Sequence, residues 1–105
     1  MILTTTERIE GKEITEYLGL VYGEVVNGIN AIKDFGAGVR NIFGGRAEGY
    51  ESEIINAREE ALEELKTRAS SMGADAVVGV RFEFEVMGQG NMLLLNISGT
   101  AVKIK

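Results

Sequence analysis

The feature that most constrains this chain is a change of apolar period at Gly73. From about Tyr50 to Met72, apolar residues recur at helical spacing. Ile54, Ala57, Ala61, Leu65, Ala69 and Met72 form one stripe, flanked by Ile55 and Leu62. The other face carries Arg58, Glu59, Glu60, Glu63, Glu64, Lys66 and Arg68. Glu64 and Arg68 stand four apart in the favourable order. Gly73 suits the position just past a helix C-cap, and Asp75 is placed to hold the turn that follows. From Ala76 to Val86 the period falls to two. Ala76, Val78, Val80, Phe82, Phe84 and Val86 alternate with Asp75, Gly79, Arg81, Glu83 and Glu85, with Val77 the one apolar exception. An amphipathic helix feeding a strand in this way implies helix stacked on sheet.

The remaining segments fit that architecture. Residues 1–5 read as a short strand and 7–13 as a polar turn. From Ile14 to Val26 the chain reads as a long strand. Ile14, Leu18, Leu20, Tyr22 and Val26 lie on one side; Tyr17, Val21 and Val25 lie on the other with Gly19 and Gly23. The glycines mark a kink or a close approach. Asn27-Gly28 marks a turn and Asn30 an N-cap. Ile32, Phe35, Val39, Ile42 and Phe43 then follow helical spacing, up to Gly44-Gly45. Gly36 and Gly38 each cost such a helix about 1 kcal/mol relative to alanine, so packing must hold it. Gly88-Gln89-Gly90-Asn91 reads as a hairpin connection, and Met92 to Lys105 as the last strand. The expected fold is α+β: two helices on one face of a mainly antiparallel sheet, in a single domain over 1–105.

Composition removes many chemistries. The chain has 105 residues and no histidine, cysteine, proline or tryptophan. No disulfide, thiol or iron–sulfur chemistry is available. The nitrogen and sulfur ligands usual for zinc, copper and haem are absent, as is the commonest general base. No cofactor is expected. A net charge of -5 opposes contact with nucleic acid or with an anionic membrane. Thr4-Thr5-Thr6-Glu7-Arg8 leaves no apolar core for a signal segment, and no apolar run nears the roughly 20 residues of a membrane span. A cytoplasmic location is the expectation.

The last strand suggests assembly. Met92 and Leu94 lie on one side, and Leu93, Leu95 and Ile97 on the other. A single helical layer covers only one sheet face, which leaves one set for a second copy of the chain. The alternative is that the N-terminal segment covers that face within one chain.

Three groups of residues are candidate sites. The segment from Asp34 to Arg46 is glycine-rich with two arginines, a composition able to cradle an anion with backbone N–H groups. It lacks the Gly-Lys-Ser/Thr of a P-loop, and Asn41 stands where a dinucleotide fingerprint needs its third glycine. Close helix packing and a sharp turn are the more ordinary explanation of its glycines. Glu59, Glu60, Glu63 and Glu64 offer oxygen ligands for a hard divalent ion, although such a run is ordinarily a solvated face. Asn27, Asn30, Arg40, Asn41, Arg46, Tyr50, Glu51 and Arg58 gather around the turn between the helices, where an oligomer would form ion pairs or a shared pocket. No catalytic residue is marked out.

Val25-Val26-Asn27-Gly28, Asp34 through Arg46, Ala57-Arg58-Glu59-x-Ala61 and above all Met72-Gly73-Ala74-Asp75-Ala76-Val77-Val78-Gly79-Val80 resemble the YbjQ-like family. These are small bacterial and archaeal proteins that carry a heavy-metal-binding label. The resemblance spans almost the whole chain. It implies a dodecin-like subunit, a ring-shaped homopentamer and no enzymatic activity. The expected function is that of a non-catalytic binding or scaffolding protein, with a divalent-metal or small-anion binder as the alternative.

Overall fold

The structure is a computed structural model that describes residues 1–27, 48–87 and 92–105. Four strands and one helix follow in the order β1 (Ile2–Leu3), β2 (Ile14–Asn27), α1 (Glu48–Ser71), β3 (Ala76–Met87) and β4 (Met92–Ile104). The sheet order is β1-β3-β4-β2. Both long pairings, β2 with β4 and β3 with β4, are antiparallel. Only the short β1 pairs in parallel, with Ile2 opposite Ala76. The α+β class and the mainly antiparallel sheet are as the sequence implied. The helix expected within 30–43 lies outside the described residues, as does the connection at 88–91.

The helix forms where the periodicity placed it. Its buried stripe is Ala57, Ala61, Leu65 and Ala69, each at most 2% exposed. It ends in a Schellman motif. Gly73, at φ 83°, donates its N–H to the Ser70 carbonyl, and Ala74 donates to that of Ala69. Asp75 then ties the turn to β4. Its N–H donates to the Val102 carbonyl at 2.9 Å, and its Oδ2 accepts from the Ile104 N–H at 3.1 Å.

α1 packs across β2 and β4. The stripe is mostly alanine, so the helix axis comes close to the sheet. A Cβ built on Gly23 would stand 2.5 Å from the Ala61 carbonyl oxygen and 3.3 Å from the Leu65 nitrogen. Gly23 is therefore the contact at which helix backbone meets strand. Val21, Val25, Leu95, Ile97 and Ala101 complete the core on this face. Full burial of a side chain such as Leu65, Leu95 or Ile97 stabilises by about 1.5–3 kcal/mol each.

β3 differs from the strict alternation in the sequence. A register shift lies between Val78 and Arg81, with Gly79 at φ 63°. A bulge of this kind reverses the faces of all that follows. Before it, Val77 faces the helix side opposite Ala101, while Ala76 and Val78 face away. After it, Phe82, Phe84 and Val86 lie on the helix side, opposite Ile97, Leu95 and Leu93. This explains why Val77 broke the alternation. It also puts apolar against apolar across β3 and β4, with the polar side of residues 81–85 away from Leu93 and Leu95.

Ala76, Val78 and Val102 form a second small core on the far face, with Ile9, Ile14 and Ile104 packed against it. The N-terminal segment thus covers only one end of that face. It also closes part of the β3 edge: Gly79 donates to the Thr6 carbonyl and Val80 to that of Thr4. The molecule is elongated, 53 × 22 × 17 Å, with a radius of gyration of 16.8 Å. A compact domain of about 100 residues has about 13 Å.

Gly23→Ala is expected to destabilise the fold by about 1–3 kcal/mol through overpacking against the Ala61 carbonyl. Gly11→Ala, at φ 81° with nothing near the added methyl group, is expected to lose about 1 kcal/mol from backbone strain alone. Urea denaturation of both variants checks the order; equal losses would remove the close contact from the account.

Candidate functional site

Of the residues that the sequence marked around the turn, Asn30, Arg40, Asn41 and Arg46 lie outside the described residues. So does the rest of the glycine-rich segment 36–46. Asn27 ends β2 opposite Leu93, and Tyr50 and Glu51 stand in the first turn of α1. The side chains of these three also lie outside the described residues. Arg58 is exposed on α1.

The best-defined polar constellation centres on a residue that the sequence marked only as half of a helix-face pair. Arg68, in the last turn of α1, forms the expected ion pair with Glu64. Its guanidinium also reaches β2. Nη1 donates to the Tyr22 backbone carbonyl at 2.7 Å, and the group lies 5.7 Å from the Tyr22 ring centroid, within cation–π range. β2 is an edge strand. Arg68 therefore satisfies one of its backbone acceptors and pins the end of the helix to that edge. Leu20, Tyr22, Glu24, Thr67, Arg68 and Met72 line an open cleft of about 480 Å³ beside this contact. It lacks the enclosed polar group that would orient a small ligand. The sequence signal was present, a basic residue in the last helical turn, but nothing in it paired Arg68 with Tyr22.

Half of the acidic run on α1 is held in ion pairs along the helix. Glu63 meets Lys66 at 3.5 Å, and Glu64 meets Arg68. Among the described residues no three carboxylates come together in a way that could hold a metal ion. Across the far face of the sheet, Tyr22, Glu24, Arg81, Glu83, Asn96 and Ser98 make a polar strip, with Arg81 and Glu83 paired at 3.4 Å in solvent. None of the described polar or charged side chains is buried. No helix among the described residues is long and apolar enough to cross a membrane.

Besides Met1, Ile2, Ile55 and Met72, the exposed large apolar side chains among the described residues lie in two rows. On the helix side of β3, past the reach of α1, Phe82 is 39% exposed, Phe84 57% and Val86 54%. On the far face of β2, Tyr17 is 70% exposed, Leu20 76%, Tyr22 51% and Val26 52%. The two patches lie on strands separated by β4 and on opposite faces of the sheet. The expectation that one of the two apolar rows of β4 would be left uncovered is displaced: Leu93, Leu95 and Ile97 are buried, and the other row is Met92 and Leu94. Both are half-buried, and the bare apolar surface lies on the strands either side of them.

Comparison with known proteins shows the same chain length and pattern elsewhere. A family model described as "Putative heavy-metal-binding" matches residues 1–105. A UPF0145 protein of Clostridium kluyveri is 58% identical over 106 residues, covering all of both chains. A UPF0145 protein of Listeria welshimeri is 57% identical, covering all of this chain and 96% of its own. Among solved structures, a protein of unknown function from Pediococcus pentosaceus, assigned to the DUF74 family, superposes with a TM-score of 0.67 at 21% identity. That match covers all of this chain and 98% of the other, and it supports the fold.

Arg68→Ala is expected to lower stability by about 1 kcal/mol, since it removes a charge-assisted hydrogen bond and an exposed ion pair together. Glu64→Gln, which removes only the ion pair, is expected to cost about 0.3–0.5 kcal/mol. Equal losses in denaturant titrations would mean that the Tyr22 contact contributes nothing.

Proposed function

The chain belongs to the YbjQ family, whose model spans it from end to end, and on that premise we propose that it is a non-catalytic subunit of a homo-oligomeric ring that binds or scaffolds other molecules in the cytoplasm. The observation that carries this reading is the pair of exposed apolar patches at Phe82-Phe84-Val86 and at Tyr17-Leu20-Tyr22-Val26. At about 25 cal/mol per Å² of apolar surface, covering several aromatic and aliphatic side chains per chain is a sufficient driving force for association.

The placement of the patches favours a ring. Identical patches meeting about a two-fold axis leave the second patch of each copy bare. A contact between unlike patches, β3 of one copy against β2 of the next, covers both and repeats until it closes. The strand edges support this direction. β1 and the N-terminal segment pair with β3 only as far as Val80, which leaves residues 81–87 without a strand neighbour on that side among the described residues. The count of five rests on the family resemblance.

The absence of catalysis draws its support from two features. The chain has no histidine or cysteine. Its described polar side chains are all solvent-accessible, whereas acid–base and oxyanion chemistry depend on polar groups held in an enclosed, low-dielectric setting.

Size-exclusion chromatography with light scattering is expected to give a mass near five times the 11.4 kDa of one chain. Phe84→Lys, at the centre of the β3 patch, is expected to shift the protein towards monomer while its circular dichroism stays that of a folded α+β domain. A wild-type monomer would sink the oligomer. A different closed number would retain the ring and discard the pentamer.

A further inference from the structure

The family description names heavy metals, and the residues of this chain do not fit them. We infer that this protein, alone or in any assembly of identical copies, forms no high-affinity site for a borderline or soft heavy-metal ion.

Zinc, copper, nickel and cadmium sites draw their affinity and geometry from imidazole nitrogen and thiolate sulfur. The chain has none of either. Its lysine and arginine side chains are protonated at neutral pH and offer no lone pair. The limit holds for every residue of the sequence. It also holds for sites made between subunits, because a homo-oligomer brings together only more copies of the same residue types. Five copies of a chain without histidine still have no imidazole.

Two side-chain donor types remain. The first is oxygen, from carboxylate, hydroxyl and carbonyl groups, which suits magnesium, calcium and manganese. Among the described residues the carboxylates do not gather in threes. The second is methionine thioether, which selects copper(I). The chain has four methionines. Met1 precedes β1 and Met72 follows α1, while Met87 and Met92 stand in register across β3 and β4. Among the described residues it is the one pair of methionines that the backbone register places opposite each other. Copper(I) is accordingly the most demanding ion to try.

The test is binding by the full-length protein in its native oligomeric state, stripped with chelator and dialysed. Zinc, cadmium, nickel, copper(II) and, under reductant, copper(I) are titrated by calorimetry. Bound metal is then measured by elemental analysis after gel filtration. The expected result is no saturable binding tighter than roughly 10 μM, no metal carried through the column and no rise in melting temperature with any of these ions. Magnesium or calcium binding without zinc or cadmium binding would agree with the inference. Saturable binding of any of the five tested ions tighter than roughly 10 μM, at a fixed ratio to chain or to ring, would overturn it. If copper(I) alone bound, Met87→Leu and Met92→Leu would show whether the cross-strand pair is the exception. Neither result depends on how many copies form the ring.

Discussion

The close approach of α1 to Gly23 sets the arrangement of everything else. The helix can lie on the sheet only because its inward stripe is mostly alanine and because β2 has no side chain at that point. Both conditions are needed. A larger residue in the stripe, or any Cβ at position 23, would lift the helix away from Val21, Val25, Leu95 and Ile97. With the contact made, α1 is centred on β2 and β4. Its width is then used up, and β3 beyond the bulge has Phe82, Phe84 and Val86 on the same face without helix above them.

The bulge at Gly79 decides what that bare surface is made of. Without it, the alternation running from Ala76 would carry Phe82, Phe84 and Val86 to the far face. With it, they join the helix face and align with the buried row Leu93, Leu95 and Ile97. The core row of β4 thus continues outward into an exposed row on β3. On the other side of the sheet, the N-terminal segment covers Ala76, Val78 and Val102 and stops there. The far face of β2 remains open. The interior that the described residues form is thin, one helix layer on one sheet. The larger apolar residues among those described are divided between a thin core and the exposed rows on β2 and β3.

Much of the fold was legible in the sequence because it rests on local rules. The stripe from Ala57 to Ala69, the Glu64–Arg68 pair, the stop at Gly73 and the turn held by Asp75 all follow from spacing and capping within a few residues. Val21, Gly23 and Val25 face the helix, as the sequence grouped them; Tyr17, grouped with them, lies on the far face and Leu18, grouped opposite, packs against the helix-side core, because the register shifts between Tyr17 and Gly19. The bulge was visible only as a symptom, the apolar Val77 among polar residues. The tie from Arg68 to Tyr22 was not visible, because the two are 46 positions apart and the acceptor is a backbone carbonyl, which any residue supplies. The uncovered surface was placed on β4 by its two-sided hydrophobicity. It falls instead on β2 and β3, because the central strand of a sheet gains neighbours on both sides and its side chains are shielded by them.

The sequence by itself determined the class of fold, the ends of the helix, the Glu64–Arg68 pair and the chemistries closed to the protein. These depend on residue type and short spacing, which a one-dimensional string carries in full. The tertiary structure alone decided which apolar residues stay exposed, on which face and at which edge. That outcome depends on how far a helix reaches across a sheet and on where a single extra residue reverses a strand, and both are properties of segments brought together from distant parts of the chain.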